Sequence, residues 1–337
     1  MKGWLVMSKV KFILLIGALF LVQVVLAACG GEKSSGEKDE TKVVHIGVQG
    51  ATGILPYARE KGYFEKAYEE VGVEVEWHEF ASGPPHFEAI SSGRLDFGFT
   101  GGSPVIAGQA GGVDFKALAV TSDGKKENAI VVPKDSEIKS LSDLKGKKIG
   151  VAKGSSAYNF LYLALDKAGL TDKDIKIVQL QPEEGRPALD NGGIDAWSIW
   201  EPYASTVNYQ TEARYLVTGA DLDIVMPSFL IGRTEFVENN PELTKIFLET
   251  YEEARKYVAE NLEEVSQDIA GIEGVEYDII YNVYSKANLI LSPTTEEFLE
   301  AHQAQADFLY SAGGIKKEID TSEVMDNQYV EEVLKGQ

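Results

Sequence analysis

Small hydroxyl residues and glycines recur at turns where a strand pattern gives way to a helix pattern. A helix start leaves backbone N–H groups unpaired, and the positive end of the helix dipole attracts anions there. Glycine lets a ligand approach the backbone closely, and Ser or Thr adds hydroxyl donors. Each turn alone also fits ordinary helix capping, but three at comparable strand ends favour a site for a small oxyanion. These turns hold Ser82 and Gly83, then Thr100, Gly101, Gly102 and Ser103, and finally Ser155 and Ser156.

No catalytic motif accompanies these turns. The stretch from Gly154 to Tyr158 approaches a nucleophile elbow but lacks its final glycine, and only His302 follows it as a base. No phosphate-binding loop or dinucleotide fingerprint follows a strand. No metal-ligand spacing links the four histidines, His45, His78, His86 and His302. We therefore expect a protein that is not an enzyme and that uses no cofactor or metal.

The turns lie within a regular alternation of strand and helix patterns, which predicts an α/β fold with a largely parallel sheet. Ligands of such sheets bind beyond the carboxyl ends of the strands, where these turns lie. The last third of the chain is mainly helical. Strands are predicted over 43–48, 73–80, 95–100, 115–121, 129–133, 147–151, 175–180 and 194–200. The main predicted helices are 55–70, 84–92, 155–168, 241–260, 276–286 and 293–312.

The N-terminus predicts export from the cytoplasm. Three lysines precede an apolar run over 12–28, and small residues then lead into Cys29. This arrangement resembles a bacterial lipobox, so we expect 1–28 to be a lipoprotein signal peptide and Cys29 to carry the lipid. Residues 29–42 read as a flexible tether. The alternative is an uncleaved membrane anchor, which also places the rest of the chain outside the cytoplasm, at the cell surface or in the periplasm.

The net charge and the cysteine content of the chain exclude several kinds of binding partner and site. The net charge of −21 argues against nucleic acid, which needs basic surface to displace counterions. It also means that an anionic ligand must be held by local dipoles and not by the overall field. A single cysteine excludes an internal disulfide and a cluster of thiolate metal ligands.

Five stretches resemble, in order and spacing, the aliphatic sulfonate, nitrate and taurine-binding proteins of ABC importers. They span 80–85, 95–101, 141–149, 153–157 and 195–203, and the resemblance as a whole covers about 44–257. It implies a two-lobed periplasmic-binding-protein fold of type II, with the ligand in the cleft between the lobes and a helical C-terminal part. One lobe would be 43–131 plus 223–337, and the other 132–222. The chain would cross between them near 131–134 and 223–228.

The resemblance also implies a function and partners. The chain would be the extracytoplasmic substrate-binding protein of an ABC importer, binding a small organic anion, most simply an aliphatic sulfonate. Its partners would be the permease and its ATPase, together with the membrane that holds the lipid on Cys29. We expect a monomer.

Further site residues follow from the resemblance. Gln49 matches a ligand contact in the first loop, and Trp200 an aromatic or backbone contact, although a strand-end Trp is also common in simple packing. Phe229 is a weaker candidate for an apolar wall. Many relatives have Asp at the positions of Gly102 and Glu201. The missing carboxylate at Gly102 weakens the case for an amine-bearing ligand such as taurine.

Alternative functions stay open at this point. The same fold binds nitrate, taurine, thiamine pyrimidine precursors or aromatic carboxylates, and a planar ligand would stack on Trp200, Tyr203 or Tyr158. A different class of function is an enzyme or a membrane-coupled sensor built on this fold. The sequence offers no cluster of reactive His or Lys residues for the enzyme.

Overall fold

The computed structural model describes residues 43–50 and 52–336. The predicted signal peptide, the lipid site at Cys29 and the tether lie outside these residues. Within them, ten strands form two five-stranded sheets, which confirms the α/β, two-lobed architecture.

The first sheet has the strand order β2-β1-β3-β10-β4. Four strands run the same way, and β10 is antiparallel to both of its neighbours. The strands are β1 (Val43–Gln49), β2 (Glu74–Phe80), β3 (Phe97–Gly101), β4 (Phe115–Ser122) and β10 (Ser228–Arg233).

The second sheet repeats this plan with the order β7-β6-β8-β5-β9. Here β5 is the antiparallel strand, between β8 and β9. Its strands are β5 (Asn128–Val132), β6 (Lys148–Val151), β7 (Lys176–Gln179), β8 (Ala196–Trp200) and β9 (Arg214–Thr218).

The chain passes from the first sheet to the second between Ser122 and Asn128, and returns between Thr218 and Ser228. The first passage comes earlier than the expected 131–134, because β5 pairs with β8 and β9 and not with the first sheet. The two passages run side by side. The Met226 N–H donates to the Asp123 carbonyl at 2.9 Å.

Helices pack on the faces of both sheets, and none in the described part of the chain is long and apolar enough to cross a membrane. They are α1 (Ile54–Glu60), α2 (Tyr63–Glu69), α3 (Pro84–Ser91), α4 (Gly102–Ala110), α5 (Ser156–Lys167), α6 (Pro182–Asp190), α7 (Tyr203–Thr211), α8 (Thr234–Asn239), α9 (Pro241–Glu260), α10 (Leu262–Glu273), α11 (Tyr277–Lys286), α12 (Glu296–Ser311) and α13 (Gln328–Lys335).

One predicted helix, 55–70, is wrong as a single element. The chain instead forms α1 and α2, because Gly62 adopts a left-handed conformation with φ of 67° between them. Glycine reaches this conformation without a steric penalty, whereas other residues rarely do.

Each sheet has its own apolar core. In the second, α5 places buried side chains at helical spacing against β5 and β8. These are Ala157, Phe160, Leu161, Ala164 and Leu165. In the first, α9 from the C-terminal third stacks Phe247 on Phe97 of β3 with ring centroids 4.3 Å apart, so the helical tail completes the first sheet's core.

Candidate functional site

A cavity of about 120 Å³ lies where strand ends from both sheets meet. The carboxyl ends of four strands reach it, at Gln49 of β1, Gly101 of β3, Ser122 of β4 and Trp200 of β8. Ser228, the first residue of the antiparallel β10, lines it as well. This is the position that the sequence predicts for the ligand of a parallel sheet.

Four helices begin at the cavity wall. Gly53 and Gly101 precede α1 and α4, Ser156 is the first residue of α5, and Pro202 precedes α7; all four line the cavity. Helix starts carry unpaired N–H groups and partial positive charge. The cavity can therefore hold an anion although the chain as a whole is strongly acidic.

The start of α5 is fixed by its own cap. The Ser155 hydroxyl donates to the Ala152 carbonyl at 2.7 Å and accepts from the Tyr158 N–H at 3.2 Å. Ser155 is 2 % exposed, so it orders the turn and leaves Ser156 at the cavity surface.

The two halves of the cavity touch at this turn. A Cβ added to Gly101, which ends β3, would lie 3.0 Å from the Cβ of Ser156 in the other half. That separation is shorter than ordinary van der Waals contact. The absence of a side chain at Gly101 therefore allows the starts of α4 and α5 to approach each other across the cleft.

Two carboxyl groups line the cavity, Glu127 and Glu201. Burial raises the pKa of the Glu127 carboxyl, although the hydroxyls of Ser122 and Ser228 partly oppose this shift. The Ser228 hydroxyl donates to Glu127 at 2.8 Å. Burial is costly for an ionised carboxylate, so Glu127 is poised to be neutral at a higher pH than a surface acid.

Glu201 is held by neighbours outside the cavity. It accepts a hydrogen bond from the Ser205 N–H at 2.9 Å and one from the Tyr215 hydroxyl at 3.3 Å. Burial raises the pKa of Glu201, while these bonds and the Lys286 ammonium at 3.9 Å favour its ionised form. Its carboxylate is thus largely satisfied before any ligand enters.

Aromatic side chains form much of the remaining wall. Trp200 is 8 % exposed, and its ring lies perpendicular to that of Tyr203 with centroids 5.9 Å apart. Phe99, Tyr251 and Tyr284 complete this surface. Such a wall suits an apolar tail.

The cavity brings together five of the predicted site residues. These are Gln49, Gly101, Ser156, Trp200 and Glu201. The other seven do not line it, and all are buried: Ser82, Gly83, Thr100, Gly102, Ser103, Ser155 and Phe229.

The seven remaining residues lie behind the cavity wall. A Cβ added to Gly83 would meet the Thr100 Oγ1 at 2.3 Å, so this turn is packed against β3. Phe229 is fully buried, with its ring 4.9 Å from that of His302. In the described part of the chain the buried hydroxyls of Thr100 and Ser103 find no hydrogen-bond partner.

Several residues that line the cavity are not predicted from the sequence. Thr121 and Ser122 end β4 and share the strand-end position of the predicted turns, so that signal would have found them. Glu127 and Lys126 lie in the passage between sheets, which carries no motif. Tyr251 and Tyr284 come from α9 and α11, and only tertiary packing brings them here.

Residues 51–265 match the family model described as NMT1/THI5 like. The chain belongs to the NMT1/THI5-like family. A Bacillus subtilis (strain 168) protein named as an aliphatic sulfonates-binding protein is 41% identical over 97% of this chain and 97% of its own length.

Two solved structures of sulfonate-binding proteins have folds similar to that of this chain. The alkanesulfonate-binding protein SsuA from Xanthomonas axonopodis pv. citri, bound to MOPS, has a TM-score of 0.81 and 27% identity, over 86% of this chain and 99% of that one. The periplasmic aliphatic sulphonate binding protein SsuA from Escherichia coli has a TM-score of 0.75 and 31% identity, over 86% and 93%.

Proposed function

We propose that this chain is the extracytoplasmic substrate-binding protein of an ABC importer and that it captures an aliphatic sulfonate in the cavity between its two sheets. The observation that carries the proposal is the meeting of two helix starts, those of α4 and α5, at the cavity wall. A sulfonate has three oxygens that accept hydrogen bonds and stays ionised at any physiological pH. Unpaired N–H groups suit it without a buried cation. The names of the relatives support the same ligand, and they describe binding proteins and not enzymes.

The sulfonate group would lie at the starts of α4 and α5, beside Gly101 and Ser156. The tail would then run along Trp200 and the tyrosines. We infer that Gln49 and Thr121, at the ends of β1 and β4, supply further polar contacts. Thr100, Ser103 and Ser155 would act from behind, by shaping the two turns.

We also propose that the lobes are built on the two sheets, with the passages at 123–127 and 219–227 as the hinge. The hydrogen bond from Met226 to Asp123 keeps these passages together. Opening at the hinge would separate Gly101 from Ser156, which touch in this structure, and closure would bury the ligand, as in hinged two-domain binding proteins.

A second ligand class, the aminosulfonates, is favoured by one observation. Glu127 and Glu201 both line the cavity, and a carboxylate there would pair with an ammonium group. A taurine-like ligand would place its sulfonate at the helix starts and its ammonium near Glu127. The two carboxyl groups therefore favour taurine as a ligand, whereas the glycine at position 102 argues against it.

A thermal-shift titration with a ligand panel tests the function. The panel holds alkanesulfonates of several lengths, taurine, nitrate, a pyrimidine precursor and an aromatic dicarboxylate. A ligand at about 100 times its dissociation constant adds about 2.7 kcal/mol, which shifts the melting temperature by several degrees.

We expect a graded response across the alkanesulfonates. A response that is strongest for taurine would select the aminosulfonates. A response to the planar compounds alone would contradict both and move the ligand to the aromatic wall.

A further inference from the structure

A second cluster of ligand-forming side chains lies on the first sheet, away from the cavity residues. It consists of His45 on β1 with Glu76 and His78 on β2. The His45 Nδ1 and His78 Nε2 atoms are 3.0 Å apart. The Glu76 Oε2 atom lies 3.7 Å from the His45 Nδ1, and the Glu76 Oε1 atom lies 3.7 Å from the His78 Nε2.

Parallel strand pairing creates the cluster. His45 is paired with Glu76, and Gly47 with His78. His78 and Glu76 are two residues apart, so they project from the same face of β2. His45 faces them from β1.

The three separations match the spacing that a tetrahedral metal requires. Ligand atoms about 2.0–2.1 Å from Zn²⁺ in tetrahedral arrangement lie about 3.3 Å from one another. The two nitrogens are 3.0 Å apart and each lies 3.7 Å from one Glu76 oxygen, values on either side of this one. Two imidazoles and one carboxylate form a donor set that suits zinc.

The cluster is accessible from solvent. The side chains of His45 and His78 are 31% and 29% exposed, and that of Glu76 is 58% exposed. An ion can therefore enter, and water can take the fourth position. Both partly buried imidazoles are also held in place before the metal arrives.

We propose that His45, Glu76 and His78 form a binding site for a divalent transition metal, with Zn²⁺ as the best match and one coordination position open to solvent. Each imidazole would bind the ion as a neutral ligand, so the ring whose nitrogen now donates the hydrogen bond would carry its hydrogen on its other ring nitrogen instead. Because β2 is the edge strand of its sheet, the ion would also clip the edge strand to β1.

Calorimetric titration of Zn²⁺ into the metal-stripped full chain tests the site. Cys29, the one thiol of the chain, is replaced by Ser in every variant. The other two histidines, His86 and His302, are fully buried, so they do not compete. We expect one Zn²⁺ per chain. His45→Ala and His78→Ala should each weaken binding by about 100-fold or more, since even outer-shell partners of a metal contribute about 10- to 100-fold.

Glu79→Gln is the matched control. It removes the same charge from the same strand, but its side chain points to the opposite face, so it should leave Zn²⁺ affinity unchanged while Glu76→Gln lowers it. Circular dichroism without metal confirms that each variant is folded, and Glu76→Gln keeps the test decisive if a histidine variant does not fold. Absence of binding to the parent chain, or equal affinity in Glu76→Gln and Glu79→Gln, would overturn the proposal.

Discussion

Single residues in the cavity act on a bound sulfonate in opposite directions. Ser156 stands at the positive end of α5, where an anion is stabilised. Glu127 repels an anion whenever its carboxyl group is ionised. We expect the balance between these two residues to set the affinity for a plain alkanesulfonate and its dependence on pH.

Replacing Ser156 with Asp should abolish sulfonate binding. A carboxylate about 6 Å from the sulfonate costs about 3 kcal/mol at an effective dielectric constant of about 20, which is on the order of 100-fold in affinity. Asp is favourable in the first turn of a helix, so the fold should be retained. Calorimetry with ethanesulfonate measures the loss, and Ser156→Ala is the control with a small effect. Undiminished affinity in a folded Ser156→Asp protein would exclude this helix start as the sulfonate site.

The affinity for ethanesulfonate should rise a few-fold as the pH falls from about 8 to about 5. Burial raises the pKa of Glu127 and of Glu201, so both carboxyl groups take up protons at a higher pH than exposed carboxyl groups do. The sulfonate stays ionised, and protonation therefore removes repulsion only.

The Glu127→Gln variant is the control for this pH dependence. It should bind ethanesulfonate more tightly at pH 8 and respond less to pH, and it should bind taurine less well. The stability of the fold depends on pH in the same direction as the affinity does. A carboxyl group whose pKa is raised by folding favours the folded state at low pH and loses that contribution as the pH rises through the folded-state pKa. An affinity that falls on acidification would contradict the assignment.

Helix starts and strand ends are the elements that build the site. The start of α4 belongs to the first sheet and that of α5 to the second, and they touch through Gly101 and Ser156. The cavity is complete only when these two elements are together, so a change in their spacing should affect ligand binding more than folding.

A Gly101→Val substitution should weaken binding by about 5- to 150-fold, since overpacking costs about 1–3 kcal/mol. The backbone of Gly101 is extended, with φ of −68°, so the cost comes from contact with Ser156 and not from backbone strain. Calorimetry measures the loss, and the melting temperature without ligand should hardly change.

The double variant Gly101→Ala with Ser156→Gly relieves the same contact and provides the control. It should bind better than Gly101→Ala alone. A loss in the double variant equal to the sum of the two single losses would show that the two positions are not coupled.

The strands and helices of the fold are largely predictable from the sequence. The sequence does not show which residues of each turn face the cavity. Local patterns located the strands around Gln49, Gly101 and Trp200, because strand and helix periodicity is a property of neighbouring residues. The turn pattern predicts Thr100 and Ser103 as ligand contacts, but a turn's sequence does not say which of its residues faces the cavity. In the fold the former is packed behind Gly83.

Contacts between distant segments account for the remaining differences. Tyr251 and Tyr284 reach the cavity from the C-terminal third. His45 and His78 show no metal-ligand spacing along the chain, yet parallel pairing of β1 with β2 places their nitrogens 3.0 Å apart. The register of a sheet decides such pairs, and a single sequence does not give it.

At the scale of the whole molecule, the net charge and the local dipoles of the cavity act on an anionic ligand in opposite directions. The net charge of −21 repels a free sulfonate, so capture depends on short-range dipoles within the cavity. Raising the ionic strength should therefore leave the affinity unchanged or increase it slightly, because salt screens the repulsion.

Attachment to the membrane is a prediction about the whole protein and concerns residues outside the described structure. Replacing Cys29 with Ala should release the protein from membranes or mislocalise it, because one acylated cysteine is the expected anchor. Fractionation followed by detergent-free washing measures this, with the unmodified chain as the control. Retention of the Cys29→Ala protein in the membrane would indicate an uncleaved apolar segment instead.

A crystal structure of the chain with ethanesulfonate would test the proposed sulfonate site most directly. We predict that the sulfonate oxygens lie within hydrogen-bond distance of the backbone N–H groups at the starts of α4 and α5, with the ethyl group against Trp200. A sulfonate bound elsewhere, for example at Lys126 with both helix starts unoccupied, would contradict the account.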